Sequence, residues 1–132
     1  RRVEDEKAVA HLGGRSLFLD ELDAPDRDAR YKSEIQLFHG DFANVPASFV
    51  GHIAARIEDV LQRESIDHVI FPLAAGTHID HRIAFAAAQR LSRNVTYYED
   101  RPYILWSGML QARMNQLACA AEGLPVVMAQ DM

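Results

Sequence analysis

The chain has 132 residues, 48% hydrophobic and 25% charged, proportions of one globular domain rather than of a disordered or fibrous chain. Its 19 acidic and 14 basic residues give a net charge of −5 and are mixed along the sequence, so no basic stripe for nucleic acid exists. The single cysteine, Cys119, excludes an internal disulfide and suits a reducing, cytoplasmic setting, and no apolar run approaches the ~18 residues needed to span a bilayer.

The opening RRVEDEKAVAHL reads as a helix with Val3, Ala8, Val9 and Leu12 on one side, ended by Gly13 and Gly14. Arg15 to Asp20 is a short apolar run fit for a buried strand. The next stretch is charged and broken by Pro25, Gly40 and Pro46; it reads as a long loop with one short helix over 32–38. Loops this long in a compact domain often line a site, and residues 21–47 are the natural place for substrate choice to be set. The acidic residues between Asp20 and Asp28 read as a solvated surface rather than a ligand cluster.

From Pro46 to Glu64 the apolar residues Phe49, Ile53, Ile57, Val60 and Leu61 recur at helical spacing, with Pro46 in the first turn. Asp67 to Leu73 is an unbroken apolar run, the pattern of a strand covered on both faces. A helix over 80–92, a strand over 94–98, a polar turn EDRPY, a helix over 104–121 and a last short strand over 124–129 follow. This alternation predicts an α/β fold, a Rossmann-like, mostly parallel sheet with helices on both faces. The usual glycine-rich nucleotide fingerprints and the GxSxG elbow are absent from the sequence.

The stretch FPLAAGTHIDHR carries the chemistry. It sits where a parallel strand hands over to a helix, the end at which open α/β sheets bind ligands. Ala74, Ala75 and Gly76 leave the backbone approachable, and Asp80 suits a helix N-cap or first turn. His78 and His81, three residues apart, can face one side of the helix start. One imidazole can bind a zinc ion that polarises a carbonyl and activates water. The other can move a proton or stabilise an oxyanion, with a carboxylate beside it. The same spacing also fits two structural histidines at an ordinary turn, and spacing alone does not decide between these readings. His11, His39, His52 and His68 have no such context.

The segment PLAAGTHIDHR, followed by a helix and then VTYYEDRPY, resembles the PIG-L/LmbE-like family of zinc-dependent de-N-acetylases, with the order of elements consistent over 1–103. The resemblance implies a metal-dependent hydrolase that removes an N-acetyl or other N-acyl group from an amino-sugar conjugate or similar small amide, with water on Zn2+ as nucleophile. It puts His81 on zinc, makes His78 the acid or oxyanion-stabilising group, and gives Asp80 the task of tuning the His78 ring. It places Tyr98, Glu99 and Asp100 at the rim of the pocket, with Arg2 and Glu4 bordering it.

The family's HPDDE-like motif, the source of its other ligands and its general base, has no counterpart in this sequence. The expectation is that a first strand-helix-strand unit is missing. The chain alone should then bind zinc weakly or not at all and not turn over substrate. Sheet surface left uncovered in this way favours homo-oligomerisation. Two other readings stand beside this one. The chain is a non-catalytic α/β binding or assembly module that keeps the HxDH turn, or a different metal hydrolase that completes its site from a partner chain.

Overall fold

The computed structural model describes residues 2–120. Helix α1 spans Arg2–His11 and ends at Gly13, whose φ of +78° closes the helix as glycine readily does. None of its residues is buried; Val3 and Leu12, expected to pack, are exposed. Residues 15–20 form no regular element and pair with no strand among the described residues, which corrects the expected strand. Side chains of the long helix that follows hold this segment instead. The Arg56 guanidinium donates to the Leu19 carbonyl at 3.0 Å, and Arg15 pairs with Glu64.

The expected loop contains two short helices, α2 (Ala24–Arg27) and α3 (Glu34–His39), and single 3-10 turns at Ala29–Tyr31 and Phe42–Asn44. Each start has a local cause. Pro25 occupies the first turn of α2, and the side chains of Asp28, Ser33 and Asp41 accept from the amides of Arg30, Gln36 and Ala43. Ala24 and Tyr31 are buried, so these turns belong to the core.

Helix α4 spans Ala47–Arg63, with Pro46 at its N-cap rather than inside its first turn. Strand β1 (His68–Pro72) passes through helix α5 (Ile79–Ala88) to strand β2 (Asn94–Tyr98). The two strands are parallel, in register from His68 opposite Asn94 to Pro72 opposite Tyr98. The result is a mixed α/β structure whose sheet, among the described residues, has two strands.

Helix α5 is apolar nearly all round because two cores share it. Ile79, Ile83 and Ala87 pack with Val50, Ile53 and Ala54 of α4. Phe85 and Ala88 pack with Leu73, Tyr97 and, from helix α6 (Met109–Ala120), Leu117. Val95 and Phe71 of the strands join the second core. The alternate residues point the other way, and Ile70 is 65% exposed. Described helices therefore cover one face of β1, which corrects the expectation that both its faces are buried; the apolar run reads identically in either case.

The expected helix over 104–121 is split into a 3-10 turn at Tyr103–Leu105 and α6, with Gly108 at φ +81° between them. Helix α5 stops four residues before the expected Ser92, where Arg90 and Leu91 tighten into i→i+3 bonds. The expected strand over 124–129 lies outside the described residues. Among those residues no helix is long and apolar enough to cross a membrane.

Candidate active site

Parallel pairing brings the carboxyl ends of β1 and β2 together, and the Leu73 amide donates to the Tyr98 carbonyl at 2.8 Å just beyond the strands. The chain then turns through Ala74 and Thr77, both left-handed, with φ of +59° and +60°. That conformation costs a non-glycine residue about 1–2 kcal/mol, and a β-branched threonine is the least suited to it. Specific bonds hold it. The Ala75 amide donates to Asp100 Oδ1 at 3.0 Å, and the Thr77 hydroxyl donates to the Phe38 carbonyl of α3. Between them, Gly76 has no room for a side chain. A Cβ there would stand 2.1 Å from Cγ of Tyr103, whose ring packs edge-on to His81 with centroids 5.6 Å apart.

His78 is the N-cap of α5, and its Nδ1 accepts from the Asp80 amide at 3.2 Å. The cap is thus the histidine, not Asp80, which stands in the first turn. The Asp80 carboxylate turns away from the His78 ring to α2, where it binds Arg27 at 2.7 Å and the Ala24 amide at 2.9 Å. Arg27 also donates to the Leu22 carbonyl and lies over the Phe49 ring. Asp80 therefore ties α2 to the start of α5 and reaches His78 through its backbone amide and its field.

The carboxylate that does grip an imidazole is Asp100. It is 1% exposed, so it lies beneath the turn rather than at the rim assigned to it by resemblance. Its Oδ2 is 2.8 Å from His81 Nδ1. Burial opposes ionisation of Asp100, but hydrogen bonds from His81 and from the amides of Ala75 and Asp100 outweigh it and hold the carboxyl below the usual range. An ionised carboxylate only accepts, so Nδ1 of His81 carries a proton, and in the neutral ring Nε2 presents a lone pair. This is the arrangement that orients a metal-binding histidine.

The His78 and His81 ring centroids are 5.1 Å apart, and Phe38 packs edge-on to His78 at the same separation. Burial first, and then repulsion from the like charge that His81 carries when it is protonated, pushes the pKa of His78 below the ordinary histidine value; Asp80, Asp23 and Asp100 oppose the shift. The neutral ring, with Nδ1 accepting from an amide, carries its proton on Nε2.

The other predicted site residues are placed as follows. Tyr98 closes β2 and is 45% exposed, with its phenol pKa raised by burial and by Asp100. Glu99 is half-buried next to it. Arg2 and Glu4 stand on exposed α1, and Arg2 pairs with Asp20 and lies over Phe18, not against either histidine. Phe38 and Arg27 join the site without a signal in the sequence, whereas Tyr103 belongs to the YYEDRPY segment that carries the resemblance. The EDRPY and APDR segments read as polar turns, and only Gly76 hinted that something packs close to the turn.

The residues fit one metal ligand with its supporting carboxylate. Among the described residues no cluster of three or more His, Cys, Asp or Glu is placed to hold a metal ion. A closed ligand set cannot be assembled from them. Comparison of the chain with protein-family models, with curated proteins and with solved structures finds no match.

Proposed function

We propose that this chain forms the histidine side of a hydrolytic centre acting on the N-acyl group of an amino sugar or similar small amide. In this reading the β1–α5–β2 unit is part of a Rossmann-like sheet, and the remaining ligands come from outside the described residues. With one cysteine, the chain suits the reducing cytoplasm. The observation that carries the reading is the Asp100–His81 pair, which frees Nε2 of His81 beside a second imidazole at the carboxyl end of a parallel strand.

Zinc, when bound, supplies a Lewis acid for the acyl carbonyl and lowers the pKa of water. The chain's own residues do the rest. Asp100 fixes the tautomer and direction of His81. His78 holds a proton on Nε2 and offers it as a hydrogen bond to oxygen that becomes negative in the transition state. Charging His78 would put a second proton on Nδ1, against the Asp80 amide that now donates to it. The cap therefore favours a neutral donor, so oxyanion stabilisation suits His78 better than storage of a proton for the leaving amine. Phe38 packs against the His78 ring and Tyr103 against the His81 ring.

The test is acetate release from N-acetylglucosamine by the protein with its zinc ligand set complete. Replacing His81 by Ala is expected to abolish zinc occupancy. Replacing His78 by Ala is expected to leave zinc bound and slow turnover by about 10²–10³, the usual cost of one lost oxyanion donor. Unchanged turnover in both variants defeats the reading.

A further inference from the structure

We propose, on the basis of the hydrolytic reading above, that a cavity next to the histidine turn is a subsite for a neutral apolar substituent of the substrate, an alkyl or aryl group carried by the acylated amino sugar. Ile35, Phe38, Trp106 and Met109 wall a cavity of about 380 Å3 that Gly76 and Thr77 of the histidine turn also line. That size falls within the range of small-molecule sites, roughly 300–1,000 Å3. Cavity and site adjoin: Thr77 precedes His78, and the Phe38 ring packs against the His78 ring.

The lining selects the chemistry. Trp106 is 55% exposed and Ile35 73% exposed, so two large apolar side chains stand in water around a concavity. No Lys or Arg is among the lining residues; the titratable ones are Glu34 and His39. A phosphate or carboxylate would meet a like charge from Glu34 and no fixed cation. The Thr77 hydroxyl already donates to the Phe38 carbonyl, which leaves that donor engaged. An apolar group asks for no such partner, and seating it removes Trp106 and Ile35 from water.

Trp106 is the single tryptophan of the chain, so intrinsic fluorescence reports on this cavity directly. The probes are methyl, butyl and octyl N-acetyl-β-D-glucosaminides, each below its micelle concentration. Saturable blue shifts are expected, with affinity rising about fourfold per buried methylene until the cavity is full. Ile35→Glu puts a carboxylate in the wall at an exposed position. It is expected to weaken octyl binding about tenfold or more while the circular dichroism spectrum stays unchanged. Octyl binding no tighter than methyl, or undiminished in the Ile35→Glu variant, overturns the subsite. The hydrolytic reading fails separately. If octyl β-D-glucoside, which lacks the acetamide, binds as well as its N-acetyl analogue, the subsite stands and the preference for an N-acyl group is lost.

Discussion

Removing the Asp100 carboxylate tests the site at its base. Asp100 is almost wholly buried and accepts from the Ala75 amide at 3.0 Å and from His81 Nδ1 at 2.8 Å. Hydrogen bonds to a charged group contribute about 1.5–3 kcal/mol each, offset in part by the desolvation that the ionised form suffers. Asp100→Ala, which strands both donors, is therefore expected to destabilise by about 2–4 kcal/mol in urea unfolding. Asp100→Asn can still accept from Ala75, but its NH2 group then faces His81. The histidine must present a bare Nδ1 and carry its proton on Nε2, and the expected stability loss is about 1–2 kcal/mol. Nitrogen NMR of the His81 ring reads the tautomer independently of stability. An Asp100→Ala protein within about 0.5 kcal/mol of wild type, or a His81 tautomer unchanged in the Asn variant, refutes the argument.

Gly76→Ala is expected to cost about 1–3 kcal/mol by thermal unfolding, because the new methyl meets the Tyr103 ring at 2.1 Å and the ring must leave His81. Asp80 and Arg27 should couple by about 1 kcal/mol in a double-mutant cycle; no coupling would show that their contact adds nothing to stability. Stability should fall with acid. His78 and Asp100 both have folded pKa values below their ordinary 6.5 and 3.8, so in each case the unfolded chain binds protons first. The His78 contribution is complete above pH 6.5 and is lost as pH falls through its lowered folded value; that of Asp100 is complete above 3.8 and is lost further down. His78→Asn keeps an N-cap acceptor and is expected to flatten the first part of that slope in denaturation at pH 7 and pH 5. If His78 acts as a neutral donor, turnover of the zinc-complete protein rises and then holds as pH climbs through the lowered folded pKa of His78; a fall across that range would restore the role of general acid.

The parts of this structure legible in sequence were those set by strong periodicity. Helices α4 and α5 follow from apolar residues at spacings of three and four, and β1 and β2 from short apolar runs between turns. The HIDH turn was legible as the handover from β1 to α5, because small residues follow the apolar run there. Two kinds of feature were not legible. Residues 15–20 look like a strand, but a strand is defined by its partner, and local pattern does not say whether one exists. Asp100 lies in a segment that reads as a polar turn, and its burial depends on donors from 25 residues back at Ala75 and 19 back at His81. The helical turns of 24–44 were signalled all along by Asp28, Ser33 and Asp41, each standing before a short helical turn as a cap.

The central claim is that Nε2 of His81 is the nitrogen offered to a metal. Zinc titration followed by nitrogen NMR of the histidine rings tests it directly, and detects weak binding as well as tight. The expected result is a shift of His81 Nε2 with Nδ1 still protonated toward Asp100. A zinc response confined to other histidines, with the His81 ring unmoved, contradicts it.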